Sequence, residues 1–232
     1  MSKLKALLLT QGMHGMISQV EGLAKAFEKA VIYDTNKNRT TSFRMKMDDG
    51  ISIQFWLKKE AFDISKTKKE VILDLWNGNA SDSADYGRLT LEISGAAANE
   101  SSIYLTLYSG SSGITRQAIC TTDYDSGSLA NGAWTHHSVT ARAASQKLFV
   151  KYYKDGLINS SSVFATSLTL GEIPGRINGY IGSLQTSAHG DAYRDSGNMV
   201  GAGKLSASMD DFRFWKKALT SEYIYNTWYW PI

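Results

Sequence analysis

From about residue 40 onward, apolar and polar side chains alternate with a period of two. Ile51, Ile53, Phe55 and Leu57 alternate with Ser52, Gln54, Trp56 and Lys58. Val71, Leu73 and Leu75 alternate with Ile72, Asp74 and Trp76, and Ile103, Leu105 and Leu107 with Tyr104, Thr106 and Tyr108. Segments with one apolar and one polar or aromatic side are strands of antiparallel sheets that bury a single face. Asp155-Gly156 predicts a hairpin turn after Leu148–Lys154. Stretches 77–87, 109–128 and 185–202, rich in Gly, Ser, Asn and Asp, predict long loops at the edge of a sandwich. The fold expected is all-β, two antiparallel sheets around one core.

The two ends of the chain read differently. In residues 1–38, Leu4–Leu9 predicts a strand and Gln11–Gly15 a glycine turn; a helix follows from Ile17 to Ala30, with Ile17, Val20, Leu23, Ala24 and Phe27 on one stripe. At the other end, strict alternation places Met209, Asp211, Arg213 and Trp215 on one face of a strand and Asp210, Phe212 and Phe214 on the other. A short helix follows, capped by Thr220 or Ser221, with Glu222 in its first turn and Tyr223, Tyr225 and Trp228 to pin it down. The expected organisation is a leader over 1–38 and one domain over 39–232.

Composition narrows the class. A chain of 232 residues, 43% of them hydrophobic, can bury one sizeable core, and 20 glycines against 2 prolines suit many strands joined by tight turns. The charge of +3 is the balance of 25 basic and 22 acidic side chains spread along the chain, so no basic face points to nucleic acid. Cys120 is the single cysteine, which excludes an intrachain disulfide and a cysteine-based metal site. The run Ala6–Leu9 is too short for a signal peptide core or a membrane span, and no membrane insertion is expected.

Several blocks carry a family resemblance. The closing stretch Met209-Asp-Asp-Phe-Arg-Phe-Trp215, followed by Ala218-Leu-Thr-Ser-Glu222, resembles the last strand of the concanavalin A-like, laminin-G-like jelly roll. Ile51–Lys59, Gly132–Thr140, Lys147–Gly156 and Gly179–Gly182 resemble its earlier strands, in family order. The resemblance covers about residues 40–230 and implies a jelly-roll β-sandwich; that fold hosts lectins, glycan-binding modules, glucanases and adhesion domains, so ligand and activity must come from the site itself. The wording is similar to laminin-G-like domains of marine bacteriophage particles, which implies a virion or extracellular surface, with a surface glycan, a virion component or a second copy as partner. Residues 4–30 resemble the start of a glycosyltransferase-like family of mitochondrial-fission type with two Rossmann-type lobes. The rest of such an enzyme is absent, and an isolated strand-helix unit builds no nucleotide-sugar cleft, so a docking role is expected for the leader.

Catalysis finds little support in the residues. Glucanases of this fold need two carboxyl groups about 5–5.5 Å apart. The eight glutamates here are scattered, and Glu70 and Asp74, the closest acidic pair on a strand, lie roughly 13 Å apart at about 3.3 Å per residue. A divergent glycoside hydrolase would have to draw on Glu70 or Glu92. Asp211 is expected to pair with Arg213 as structure, and His136 and His137 to point to opposite faces, at least one in the core with a backbone hydrogen bond. A binding role fits better, because sugars are held by aromatic rings and by Asn, Asp, Gln and Arg. Trp76, Asn77, Asn79, Asp82, Asp85, Tyr86 and Arg88 cluster in one loop, and His189, Asp191, Tyr193, Arg194, Asp195 and Asn198 in another. Carbohydrate binding is therefore expected at Trp76, Asn77, Asn79, Asp85, Tyr86, Arg88, His189, Tyr193 and Arg194, with calcium as the candidate cofactor at Asp191 and Asp195. Trp56, Tyr104 and Tyr108 form a candidate aromatic platform on one sheet. Trp134, Phe212, Phe214 and Trp215 are assigned to packing, and the aromatic tail Trp228–Trp230 to a subunit contact if it stays exposed. The expected function is a non-catalytic lectin-like or adhesion module, the alternative a purely structural decoration protein of a particle.

Overall fold

A computed structural model describes residues 31–32, 45–60, 68–96, 100–120, 129, 131–173, 177–185 and 203–228. The expected leader elements at Leu4–Leu9 and Ile17–Ala30 lie outside them.

The described chain forms eleven strands and one helix: β1 (Val31–Ile32), β2 (Ile51–Lys58), β3 (Lys68–Trp76), β4 (Gly87–Ala96), β5 (Glu100–Ser109), β6 (Ser112–Ala118), β7 (Trp134–Ala144), β8 (Lys147–Lys154), β9 (Leu157–Ala165), β10 (Asn178–Ile181), β11 (Ser208–Trp215) and α1 (Ser221–Trp228). They build two antiparallel sheets, in the orders β1-β10-β3-β4-β5-β6 and β11-β2-β7-β8-β9, packed as a jelly-roll β-sandwich. The edge strand β1, from the segment read as leader, pairs Val31 with Tyr180 and Ile32 with Gly179.

The period of two accounts for the core. Ile51, Ile53, Phe55 and Leu57 from β2 meet Leu89, Leu91 and Ile93 from β4 and Ile103, Leu105 and Leu107 from β5, all within 1% of full burial. His137 sits among them, stacked on Phe55 at 5.2 Å, its Nδ1 2.8 Å from the Tyr152 hydroxyl. The core histidine therefore bonds a side chain rather than the backbone. Burial first, then the charges of His136 and Lys154, lower its pKa to about 3. His136 faces the other side of the same sheet, as alternation requires, and burial and then Arg213 lower it to about 4.

Two expectations about faces are corrected. A β-bulge between Asp210 and Arg213, with Asp211 at φ 47°, inserts a residue into β11 and breaks its alternation. Met209, opposite Leu57, therefore shares the core side with Phe212 and Phe214, while Arg213 and Trp215 point outward opposite Gln54 and Ser52. The bulge also aims Asp211 at Arg213 in a bidentate pair, 2.9 Å and 2.5 Å, as expected from their spacing. Trp56 does not join Tyr104 and Tyr108 in one platform, because β2 and β5 belong to different sheets.

The outward side of the five-stranded sheet carries α1. Thr220 accepts from the Tyr223 N–H as N-cap, and Ser221 Oγ is 2.9 Å from the Tyr153 hydroxyl. Ile224 is fully buried, Trp215 meets Tyr223 edge-on at 5.7 Å, and Trp228 lies 6.3 Å from Trp56. Trp228 thus folds back onto the sandwich, which removes it from the expected subunit contact; Tyr229 and Trp230 lie outside the described residues. Trp134 departs from its packing assignment, being 45% exposed at the start of β7.

Candidate functional site

One end of the sandwich gathers three of the described connections. The 77–86 loop joins β3 to β4, the turn after Ser109 joins β5 to β6, and Ser145-Gln146 joins β7 to β8. These are stitched together: Gly110 donates to the Tyr86 carbonyl at 2.6 Å, Leu168 to Ser112 Oγ at 3.0 Å and Thr166 to the Gln146 carbonyl at 2.9 Å. Residues 45–49 then cross from one sheet to the other. Ile173, beside Gly87, donates to the Met45 carbonyl, Ala143 to that of Met47 and Ala218 to that of Asp49.

The 77–86 loop holds its own shape. Asn77, 7% exposed, donates through Nδ2 to the Asp85 carbonyl at 2.5 Å and accepts from the Gly87 and Asn79 N–H groups through Oδ1. Asn79 Nδ2 donates to the same Asp85 carbonyl at 2.8 Å, and the Trp76 indole N–H donates to the Asn79 carbonyl at 2.8 Å. Gly78, at φ 85°, takes the left-handed turn between them. The half-buried Trp76 ring is thus fixed at the loop's base by Asn79, whose own amide holds the backbone of the exposed residue Asp85.

Beneath the loop is a buried charge pair. Arg88, opposite Trp76 in the ladder, donates from Nε to Asp74 Oδ1 at 2.9 Å and from Nη2 to Oδ2 at 2.8 Å, with the two residues 2% and 0% exposed. Thr90 Oγ1 donates to Oδ1 at 2.9 Å, and the Gln185 N–H to Oδ2 at 3.0 Å. Burial works to lower the Arg88 pKa, but the Asp74 carboxylate and the Tyr86 phenol together outweigh it and the value stands above the ordinary one. Burial pushes the Tyr86 phenol up, against the pull of Arg88, and its ring tilts on Tyr108 at 5.9 Å. Gln185 is the first residue of the second long loop. Asp74 therefore ties the root of that loop to the root of the first.

Of the residues proposed from sequence, Trp76, Asn77, Asn79, Asp85, Tyr86 and Arg88 come together as a unit with two layers. Trp76, Asn79 and Asp85 lie at the rim; Asn77, Tyr86 and Arg88 are buried beneath, their polar groups engaged with the protein. His189, Tyr193 and Arg194, and the calcium candidates Asp191 and Asp195, lie outside the described residues. Among the described residues no group of three or more His, Cys, Asp or Glu side chains has the spacing of a metal site. Sequence reasoning missed Asp74, Thr90 and Gln185, whose only signal is that Asp74 and Thr90 occupy outward positions of strands. It also missed a cleft of about 520 Å³ at the same end, on the five-stranded side, lined by Asp48, Asp49, Arg142, Lys216, Lys217 and Ala218.

Other strand carboxylates are also paired with cations. Glu70 meets Lys59 at 3.1 Å and accepts from the Ser206 N–H at 2.8 Å, and Glu92 meets Arg116 at 2.5 Å, with that guanidinium 4.2 Å above the Tyr104 ring. Neither Glu70 nor Glu92 is exposed beyond 4%.

No protein-family model and no curated protein sequence matches the chain. Solved structures similar to it include a heptameric SAP-like pentraxin from Limulus polyphemus, at 12% identity over 84% of this chain and 79% of that one, TM-score 0.47. Another is the carbohydrate-binding module (CBM40) of a Ruminococcus gnavus IT-sialidase bound to α2,3-sialyllactose, at 11% identity over 77% and 82%, TM-score 0.43. A third is the binding domain of botulinum neurotoxin serotype D, at 13% identity over 86% of this chain and 39% of that one, TM-score 0.45.

Proposed function

We propose that this domain is a non-catalytic carbohydrate-binding module that holds a surface glycan at the loop end of its sandwich. The observation that carries the reading is the fixed Trp76 ring, locked through its indole N–H to Asn79, whose amide holds the exposed Asp85, above an ion pair that ties the roots of both polar loops. A half-exposed aromatic face stacks on the apolar face of a sugar, while amide and carboxylate groups at its edge take hydroxyls. Preorganisation reduces the ordering cost of binding, and here the loop's hydrogen bonds supply it. His189, Tyr193 and Arg194 complete the site from the second loop in this proposal, with calcium at Asp191 and Asp195. The non-catalytic part is supported by Glu70, Asp74, Glu92 and Asp211, each committed to a cation. A virion or other extracellular surface as its setting follows from the sequence resemblance.

The test is a glycan array probed with the native chain and with Trp76→Ala, in calcium and in chelator. Binding by the native chain that falls about tenfold or more in the variant, about 1.4 kcal/mol, supports the reading. Loss in chelator supports the calcium component and its persistence removes that component alone. No binding in either condition overturns the reading in favour of a structural decoration role, and sugar release from a polysaccharide overturns it in favour of hydrolysis.

A further inference from the structure

Polar side chains line the outward side of the five-stranded sheet beneath α1. Gln54 stands opposite Ser138 and Trp56 opposite His136 in the β2–β7 ladder, with Arg213 opposite Gln54 on β11 and Tyr153 opposite Ser138 on β8. Gln54 and Ser138 have no exposure and His136 only 3%. Yet Gln54 Nε2, Ser138 Oγ and His136 Nδ1 have no hydrogen-bond partner among the described residues. A polar group buried without a partner carries its full desolvation cost, which contact with water removes.

Among the described residues the element laid over these three groups is α1, since each borders a residue that the helix contacts. Gln54 Oε1 accepts from the Trp215 indole N–H, and Trp215 meets Tyr223. Ser138 lies opposite Tyr153, which bonds Ser221, and the His136 ring is 5.4 Å from Trp56, itself 6.3 Å from Trp228. The helix is lightly held. Of its eight residues only Ile224 is buried, and Glu222 is its one charged side chain. The chain before it is fixed as far as Leu219, because Ala218 donates to the Asp49 carbonyl and Leu219 to Ser52 Oγ. The N-cap Thr220 is therefore the first position free to act as a hinge.

We infer that α1 is an acid-released latch: protonation of His136 lifts the helix from the sheet about Thr220 and opens the polar face beneath it, while the sandwich stays folded. A charged imidazole carries N–H groups on both nitrogens, and Nδ1 has no acceptor under the closed helix. The charged groups around the ring are few. From β11 come Arg213, bonded to Asp211, and the exposed Asp210 opposite Trp56; from β2 comes Lys58. From β8 and its turn come Tyr153 and Asp155, whose carboxylate accepts from the His136 backbone N–H at 2.9 Å; from α1 comes Glu222 alone. Burial, and then Arg213, prevail over the acids and hold the closed ring to a pKa of about 4. Released into water, the ring returns to about 6.5, so proton uptake favours the open form as pH falls through that value. Between pH 7 and pH 5 the open fraction rises about twentyfold by this linkage. Gln54 and Ser138 gain water in the same step, which lowers the cost of opening at every pH. The inference is independent of the proposed function, because α1 covers one sheet and the 77–86 loop belongs to the other.

Backbone amide exchange of the full chain, from pH 7 to pH 5 and corrected for its intrinsic pH dependence, is the test. The amides of Ile224–Trp228 are expected to exchange faster than those of β4 at pH 7 and to lose about twentyfold in protection by pH 5. Ser138→Ala should slow opening at both values and keep the slope, His136→Gln should flatten the slope, and His137→Gln should leave it in place. The ring signals of His136 in the native chain read the same event without a substitution, since their titration should follow the loss of α1 protection. Amides of α1 as protected as those of β4 overturn the proposal. So does a slope that survives His136→Gln, or a His136 ring that titrates while α1 keeps its protection.

Discussion

Replacing Asp74 by alanine is the sharpest perturbation of the site's foundation. Its carboxylate, with no exposure, accepts from Arg88 Nε, Arg88 Nη2, Thr90 Oγ1 and the Gln185 N–H. Asp74→Ala leaves a guanidinium 2% exposed without its counter-charge. Breaking a buried pair from one side costs about 3–5 kcal/mol, because the remaining charge is stranded. We expect about 4 kcal/mol here, a large part of a typical domain's roughly 5–15 kcal/mol. Arg88→Met is expected to cost less, since Asp74 keeps the Thr90 and Gln185 donors. Asp74→Ala with Arg88→Met should recover much of the single-site loss, because no unpaired charge remains. Urea unfolding followed by tryptophan fluorescence gives all three values in one series. A loss below about 1 kcal/mol for Asp74→Ala, or a double variant as unstable as the sum of the singles, refutes a buried, energetically coupled pair.

Acid should destabilise the fold through the two buried histidines of β7, His136 and His137. With folded pKa values of about 4 for His136 and about 3 for His137 against about 6.5 unfolded, the unfolded state takes up protons first, so stability is full above neutrality and falls as pH drops below about 6.5. Between pH 7 and pH 5 each histidine removes about 2 kcal/mol by linkage; urea unfolding at both values should show this, and His137→Gln should halve the histidine part of the slope. Gly156→Ala should destabilise by more than about 1 kcal/mol, because the φ of 76° disfavours a side chain and the new Cβ would run into Trp228; thermal unfolding measures it. Cys120, 8% exposed and hydrogen-bonded near Ser102 and the Ile103 N–H, should react with a thiol reagent far more slowly than in urea, and comparable rates would contradict its burial.

The fold was legible because alternation depends only on local geometry. The core positions of β2, β4 and β5 follow from it, as does the separation of His136 and His137 onto opposite faces. Alternation fails where a residue is inserted: the bulge at Asp211 moved Phe212 and Phe214 to the side of Met209, and nothing in the local sequence marked it. Nor does alternation say which sheet a strand joins, so Trp56 could not be separated from Tyr104 and Tyr108. The site was legible as a polar-aromatic loop but not in its layers. Asn77 and Arg88 are the residue types that bind sugar, yet one shapes the backbone turn and the other neutralises Asp74. The partners of Asp74 lie 14, 16 and 111 positions away, and such separations leave no local trace.

Titrating an isotopically labelled chain with a glycan it binds, and following backbone and indole NMR signals, tests most directly where ligand is held. The account predicts that the largest shifts fall on the Trp76 indole N–H and on Asn79 and Asp85, with those around α1 unmoved. Shifts concentrated on the outward face of the five-stranded sheet or along β9, with Trp76 unaffected, would contradict it.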